Sequence, residues 1–183
     1  EGKNIQKQIE SIETSVKFKQ EILIIYDFGR DDTIPVVKKL QNKFKNLKLV
    51  KNIFGRGVIN AVKTGFQKAT GSVVVVMPAD LADNPDTVNK MYKKIQQGFD
   101  IVCATRYGRG GSKVGGPIIK TILSRIAGLA TPILLGIHTT DIANGFKMYK
   151  RKVIEKIKIE SNGGWEFSTE LTIKAHHSGF KIA

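Results

Sequence analysis

Two aspartates follow the most apolar short run of the sequence. Residues 72–77 read Ser-Val-Val-Val-Val-Met, and Asp80 and Asp83 come soon after them. A run of this kind predicts a parallel strand that is covered on both faces. Carboxylates are ligands that hard divalent cations prefer, often together with phosphate oxygens. Asp80 is therefore a candidate metal ligand, whereas capping of the next helix is the simpler explanation for Asp83 and Asp86.

Another carboxylate, Asp27, follows a second apolar run, residues 21–26. At the end of a strand, a carboxylate can accept hydrogen bonds from a nucleobase or a ribose. A polar turn in which Asp31 or Asp32 caps the next helix explains these acids equally well. Both interpretations stay open, and they are compatible with each other.

Cationic side chains accompany a glycine-rich stretch at residues 107–116. Arg106 stands just before it, and Arg109 and Lys113 stand within it. Arginine binds phosphate oxygens through two parallel N–H groups, and glycines allow a loop to order over a ligand. For Arg109 and Lys113, a solvent-exposed loop without a ligand is an equally good explanation.

These residues need a scaffold, and the alternation of strands with helices predicts an α/β fold with a mostly parallel central sheet flanked by helices. Ligands of such sheets bind beyond the carboxyl ends of the strands, so the loops that begin at residues 27, 78 and 105 are expected to form the site. We expect a single domain over residues 1–183. The predicted strands are 21–26, 47–50, 72–77, 101–104 and 146–149, and the predicted helices include 5–16, 118–135, 152–156 and 167–176, with others beginning near residues 33, 58 and 85.

Composition is that of an ordinary globular protein, with 183 residues, of which 41% are hydrophobic and 25% charged. A single cysteine, Cys103, excludes an internal disulfide framework and is expected to be an inert core residue. The net charge of +14 favours anionic partners such as nucleotide phosphates or acidic lipids, although solvated lysines explain much of it. The densest basic stretch covers residues 147–158. No nucleic-acid-binding signature accompanies the charge, so we do not expect nucleic acid as a partner.

The sequence contains no apolar run of about 20 residues, the length that a transmembrane helix requires. The longest nearly apolar run, residues 126–137, predicts a core helix or a helix at a membrane surface. The chain begins with Glu1 rather than Met, and no signal peptide is visible. We therefore expect a processed or truncated chain.

Several segments, taken in order along the chain, resemble the inverting family 2 glycosyltransferases of GT-A fold, and most closely the dolichol-phosphate mannose synthase branch. The resemblance covers essentially the whole chain. The matching segments are Glu1-Gly-Lys-Asn-Ile5, Asp27-Phe-Gly-Arg-Asp-Asp-Thr33, Gly55-Arg-Gly-Val-Ile-Asn-Ala61, Pro78-Ala-Asp80, Thr105-Arg-Tyr-Gly108, Asp141-Ile-Ala-Asn-Gly-Phe-Lys147 and Glu166-Phe-Ser-Thr-Glu170.

This resemblance implies a transferase that moves a hexose from a UDP- or GDP-linked donor to a polyprenyl phosphate of the dolichyl or undecaprenyl type. It implies a peripheral location at the cytoplasmic, inner face of the membrane, against an anionic surface. Asp80, helped by Asp83, would hold Mg²⁺ or Mn²⁺ on the donor diphosphate, Arg106 would meet a phosphate, and Asp141 would lie at the floor of the site. The further substrate-binding residues that it implies are Asp27, Gly57, Ala79, Lys120, Ser124 and Glu170.

The chain also departs from the family pattern. Pro78 replaces the first carboxylate of the metal motif, and Phe28 replaces the second aspartate of the base-binding pair. By the resemblance, the first strand of the fold is missing and the chain stops before segments that usually follow, so we expect a single catalytic domain that is truncated at both ends. An inactive chain is one expected outcome. Two alternatives stay open: a family 2 transferase with a glycan or other non-lipid acceptor, and a basic binding module without catalysis.

Overall fold

A computed structural model of the chain describes residues 2–106, 130, 135–137 and 139–183. The glycine-rich stretch 107–116, with Arg109 and Lys113, lies outside these residues. So do Lys120, Ser124 and almost all of the predicted helix 118–135. The predictions made for these positions therefore remain predictions.

Helices and strands alternate through most of the described chain, in the predicted order. Apolar runs form the strands, and amphipathic stripes such as Ile5, Ile9 and Ile12 form the helices. The elements are α1 (Gly2–Ser15), β1 (Ile22–Tyr26), α2 (Thr33–Leu40), β2 (Leu47–Lys51), α3 (Val58–Lys68), β3 (Val73–Val76), α4 (Thr87–Gln96), β4 (Ile101–Cys103), β5 (Lys147–Lys150), α5 (Arg151–Lys156) and α6 (Phe167–His177).

Hydrogen bonds join the described strands into two ladders. β1 and β2 pair in parallel, with Ile22 opposite Leu47. In the second ladder β5 lies between β3 and β4 and runs antiparallel to both of them, so β3 and β4 share one direction. The expectation that β3 has parallel neighbours is wrong within the described residues, because its hydrogen-bonded partner is β5. The four valines of β3 are also only partly buried.

Two helices connect the ladders by side-chain packing. In α1, Ile9 is buried in a cluster with Ile22 of β1, while Ile12 packs against both that cluster and the one around Met148 of β5. On α3, Phe66 packs edge to face on Tyr149 of β5, with ring centroids 5.6 Å apart. The core therefore continues across the two ladders even though their hydrogen-bonding does not.

Both ladders begin at the same edge of the molecule. Glu21, just before β1, accepts hydrogen bonds from the backbone N–H and hydroxyl of Thr70, just before β3. β1, β2, β3 and β4 therefore end together at the opposite edge, which we call the carboxyl edge. Because β5 is antiparallel, its first residue, Lys147, also lies there. Of the helices in the described part of the chain, none has the length and apolarity to cross a bilayer.

Candidate active site

The loop after β3 brings Asp80 and Asp83 to the carboxyl edge. Asp80 is exposed, and its Oδ1 accepts the backbone N–H of Ala82 at 3.0 Å. Between the two acids, Leu81 has a positive φ of 64°, a conformation that costs energy in a residue other than glycine. Burial, and then the nearby charge of Asp80, raise the pKa of Asp83 to about 6. The loop thus holds two mutually repelling carboxylates in a strained turn, an arrangement that a cation would relieve.

Arg106, three residues after β4, forms a bidentate ion pair with Asp141. Its Nε donates to Oδ2 at 2.7 Å and its Nη2 donates to Oδ1 at 2.8 Å. The backbone N–H of Arg106 donates to the same Oδ2 at 3.2 Å. The Asp141 side chain is 1% exposed and that of Arg106 is 34% exposed. Asp141 therefore fixes the guanidinium, and both of its own oxygens are engaged in doing so.

This ion pair adjoins the carboxylates of the β3 loop. The charges of Arg106 and Asp141 both act on Asp83, the first lowering and the second raising its pKa. Asp80, Asp83, Arg106 and Asp141 therefore form one electrostatic cluster, although they come from three separate segments of the chain. The family resemblance implied a site role for these four residues, and the structure places them in one cluster.

Lys147, the first residue of β5, is completely buried beside this cluster. Its Nζ donates to the backbone oxygens of Ile142 and Ser168 at 2.6 and 2.8 Å and to Oγ1 of Thr172 at 2.7 Å. Burial lowers the pKa of Lys147. The expectation that Lys147 is one of the solvated lysines of the basic stretch 147–158 is therefore wrong. Lys147 instead ties the turn that carries Asp141 to α6.

Asp27 lies at the end of the other ladder and is held by its neighbours. Its Oδ1 accepts from Nδ2 of Asn52 at 2.8 Å, and its Oδ2 accepts from the backbone N–H of Gly57 at 3.0 Å. Gly57 has a φ of 110°, which suits glycine, and directly precedes α3. The buried Asn52 was missed by sequence reasoning. Its position directly after β2 was the available signal.

A shallow cavity of about 300 Å³ lies beside Asp27, and Phe28, Arg30, Asp31 and Asp32 line it. Oδ1 of Asp31 accepts the backbone N–H of Thr33 at 2.9 Å, so the predicted turn at the start of α2 is present. The cavity therefore combines an exposed aromatic ring, a cation and acids next to a fixed carboxylate.

The remaining predicted substrate-binding residues have structural partners. Ala79 packs against the core cluster between α1, α2 and the β1–β2 ladder. Glu170 accepts the backbone N–H groups of Glu160 and Ser161 at 2.7 and 3.0 Å and pairs with Lys174. Burial raises the pKa of Glu170, but hydrogen bonds from Lys174 and Ser161 outweigh it and lower the pKa to about 2. Glu170 is thus an ionised residue that orders the loop before α6.

The donor set of the β3 loop fits a divalent cation that is shared with a substrate. Within the described residues, no group of three or more histidine, cysteine or acidic side chains is arranged to hold a metal by itself. Mg²⁺ in phosphoryl substrates is often bound by only one or two protein carboxylates, the other ligands being phosphate oxygens and water. Asp80 and Asp83 supply such a pair.

The chain is similar in sequence to curated proteins with known names. A dolichol-phosphate mannosyltransferase of Pyrococcus furiosus is 27% identical over 97% of this chain and 51% of its own length. A polyprenol monophosphomannose synthase of Mycolicibacterium smegmatis is 32% identical over 61% of this chain and 43% of its own length. The chain thus spans about half the length of the curated relatives it matches.

Among solved structures, the glucosyl-3-phosphoglycerate synthase of Mycobacterium tuberculosis with Mn²⁺, UDP-glucose and glycerol 3-phosphate has a similar fold. The TM-score is 0.74 at 17% identity, and the match covers 97% of this chain and 62% of that one. This likeness confirms the GT-A fold. The model of the family named Glycosyl transferase family 2 matches residues 1–158. Because that match covers most of the chain, the chain belongs to glycosyl transferase family 2.

Proposed function

We propose that this chain is part of a glycosyltransferase that moves a hexose from a nucleoside-diphosphate sugar to a polyprenyl phosphate, assisted by a divalent cation at a membrane surface. One observation carries the proposal. At the carboxyl edge, the carboxylates Asp80 and Asp83 lie in one electrostatic cluster with the Arg106–Asp141 ion pair. A cation-binding pair beside a fixed guanidinium suits a reaction between two phosphate-bearing substrates.

The carboxylate pair would hold the metal, Mg²⁺ or Mn²⁺, against the donor diphosphate. When bound, the cation supplies positive charge to the departing nucleoside diphosphate. The β3 loop prepares this role, because its strained turn at Leu81 keeps the two acids close before any ligand arrives. Pro78 stands where the family motif has its first carboxylate, so within the described residues the β3 loop offers Asp80 and Asp83.

Arg106 is the group that we assign to a substrate phosphate. Asp141 accepts two hydrogen bonds from its guanidinium and one from its backbone N–H, so its orientation is set before the substrate binds. Preorganised charge of this kind contributes more to catalysis than charge that must reorient. Asp141 acts through Arg106 as a positioning residue, and Lys147 in turn holds the Asp141 turn in place.

On the donor side, Asp27 and the cavity beside it form the proposed nucleoside subsite. The branch to which the curated relatives belong supports a polyprenyl phosphate as acceptor. Such an acceptor is already anionic, so nucleophilic attack requires little deprotonation and no dedicated general base. Positioning and neutralisation of charge would then account for most of the rate enhancement.

Replacement of Asp80 tests the metal role. With Mn²⁺ present, the parent protein is expected to bind UDP- or GDP-sugar in calorimetry, and Asp80→Asn is expected to lose at least about tenfold in affinity. Asp86→Asn is the matched control, since Asp86 contacts Asn89 of α4 and lies outside the cluster. Unchanged affinity in Asp80→Asn would remove Asp80 from the metal site.

Acceptor assays then test the substrate class. Transfer of labelled sugar to a short polyprenyl phosphate in detergent, compared with transfer to soluble glycans, separates the lipid acceptor from the alternative. Product on the glycan alone would overturn the lipid acceptor. Failure to bind any nucleotide sugar, together with salt-sensitive binding of oligonucleotides, would instead favour a basic binding module.

A further inference from the structure

A series of hydrogen bonds runs from helix α3 through Asn52 to Asp27. The hydroxyl of Thr64, in α3, donates to Oδ1 of Asn52 at 2.8 Å, and Nδ2 of Asn52 donates to Oδ1 of Asp27 at 2.8 Å. Thr64 is completely buried, and Asn52 is only 7% exposed. Buried polar side chains cost free energy unless they are hydrogen-bonded, and here both are. We call Thr64, Asn52 and Asp27 the α3 relay.

The backbone around the α3 relay fixes the direction of each hydrogen bond. The N–H of Ile53 donates to Oγ1 of Thr64 at 3.2 Å, and the N–H of Phe54 donates to Oδ1 of Asn52 at 3.2 Å. Because a backbone N–H only donates, the amide atom that faces Phe54 and Thr64 is the oxygen. The NH₂ group of Asn52 is therefore turned toward the Asp27 carboxylate. The reverse orientation would place the amide oxygen against that carboxylate, and the two would repel each other.

Helix α3 holds the second oxygen of Asp27 as well. The backbone N–H of Gly57, the residue directly before α3, donates to Oδ2 of Asp27 at 3.0 Å. Gly57 and Thr64 are about two helical turns apart. One helix thus orients both oxygens of the carboxylate, one directly and the other through Asn52.

The same helix also contacts the ladder that carries Asp80. Phe66, two residues after Thr64, packs on Tyr149 of β5, and β5 pairs with β3. The α3 relay therefore connects the orientation of Asp27 with the helix that packs between the two ladders.

We propose that Thr64 and Asn52 are positioning residues, which orient the Asp27 carboxylate for the nucleoside of the donor. This inference rests on the proposed function, because Asp27 is the acid of the proposed nucleoside subsite. Each carboxylate oxygen can accept about two hydrogen bonds, and Asn52 and Gly57 occupy one position on each. The remaining positions accept N–H or O–H groups of a base or ribose, and their direction is set before the ligand binds. Preorganisation of this kind increases affinity, because less freedom is lost on binding.

Two variants of Thr64 separate its hydroxyl from its packing. Thr64→Val keeps the branched shape but removes the proton that Asn52 accepts, whereas Thr64→Ser keeps the hydroxyl. In calorimetry with Mn²⁺, we expect Thr64→Val to weaken the binding of UDP or GDP about tenfold or more, and Thr64→Ser to stay within about threefold of the wild type. Thr14→Val, at an exposed helical threonine of α1, is the matched control. Equal losses in the serine and valine variants would overturn the proposal, since packing alone would then explain them.

A double-mutant cycle tests whether Thr64 acts through Asp27. In an Asp27→Ala background, we expect Thr64→Val to reduce nucleotide affinity by no more than about twofold, because the group that it positions is gone. The same loss with and without Asp27 would contradict a positioning role. Should circular dichroism show that Thr64→Val does not fold, Asn52→Ala replaces it, with the same expected loss and the same dependence on Asp27.

The NMR signal of the Gly57 backbone N–H reports on Asp27 without any nucleotide. We expect this signal to move in Asp27→Asn and in Thr64→Val, and to stay near its wild-type position in Thr64→Ser. A signal that moves in Asp27→Asn but not in Thr64→Val would overturn the α3 relay. A protein that shows the expected shifts, yet binds neither UDP nor GDP, would keep the relay and overturn the proposed function instead.

Discussion

At the scale of single residues, the site shows that a carboxylate predicted to bind substrate can have both of its oxygens hydrogen-bonded within the protein instead. Asp141 gives both oxygens to Arg106, and Glu170 gives both to a loop backbone and Lys174. Asp80 and Asp83 differ from them, because the charge of Asp80 repels the carboxylate of Asp83. Residue type and strand position identified Asp80, and the family resemblance implied roles for Asp83, Asp141 and Glu170, but the partners that distinguish the four acids come from distant segments.

Replacement of Asp83 is predicted to stabilise the metal-free protein at neutral pH. Its pKa rises from 3.8 to about 6 on folding, through burial and then through Asp80, so ionisation is less favourable in the folded state. Ionisation of Asp83 therefore destabilises the wild type as pH rises through 6, and this destabilisation is absent below about pH 4. We expect Asp83→Asn to raise the free energy of unfolding by about 1–2 kcal/mol at pH 8, and to leave it unchanged near pH 4.

Urea denaturation at the two pH values measures this effect. Asp86→Asn, outside the cluster, is the control and should show no such dependence on pH. Added Mn²⁺ should stabilise the wild type but not Asp83→Asn. A variant that is less stable than the wild type at pH 8 would contradict the assigned repulsion.

At the scale of elements, the position of Trp165 depends on its contact with Gly145, two residues before β5. A side chain on Gly145 would collide with the indole, whereas one on Gly29 would meet open space. The sequence shows a glycine in the segment 141–147, but it does not show that this glycine leaves room for an aromatic ring twenty residues later. The close approach is a property of tertiary packing.

Gly145→Ala is therefore predicted to displace Trp165 and to destabilise the fold by about 1–3 kcal/mol through overpacking. The emission of Trp165, the only tryptophan, should shift to longer wavelength as the ring leaves the backbone. Gly29→Ala serves as the matched control, with emission and stability near those of the wild type. An unchanged spectrum in Gly145→Ala would show that the contact is not maintained in solution.

Local sequence patterns predicted well where the strands lie, but they predicted poorly which strands pair with each other. The apolar runs of the sequence predicted the ends of β1 to β5 to within two residues. A strand that packs against the core consists of apolar side chains that are close together in the sequence, so a local pattern reveals it. The insertion of β5 between β3 and β4 depends on pairs of residues that are 44 to 77 positions apart in the sequence, which no local pattern encodes. The assignment of Lys147 to a basic surface failed for the same reason, since its three acceptors belong to the turn after Asp141 and to α6.

At the scale of the whole molecule, polar contacts at the start of the strands help to join the two ladders. Glu21, before β1, accepts three hydrogen bonds from Thr70 and Gly71, before β3, and pairs with Lys48 of β2 at 2.8 Å. Burial raises the pKa of Glu21, but the hydrogen bonds from Lys48 and Thr70 outweigh it and lower the pKa to about 2. The carboxylate therefore acts in its ionised form.

Glu21→Gln is predicted to lower the free energy of unfolding by about 1–3 kcal/mol at pH 7. Because the pKa is lowered on folding, the stabilisation is present above about pH 4.5 and is lost as pH falls toward 2, where variant and wild type should converge. Glu155→Gln, at an exposed i,i+4 pair, is the control for a surface charge. A difference that persists unchanged at pH 2 would contradict the ionised role.

The ladders share core packing but, within the described residues, no strand-to-strand hydrogen bond. The distance between Asp27 and Asp80 therefore depends on how α1 and α3 pack against the strands, because within the described residues no strand-to-strand hydrogen bond between the ladders fixes it. A substrate that spans both subsites would have to fix that spacing when it binds. We therefore expect changes in helix packing far from either carboxylate, such as at Ile12, to be transmitted into substrate affinity, with no chemical group of the pocket altered.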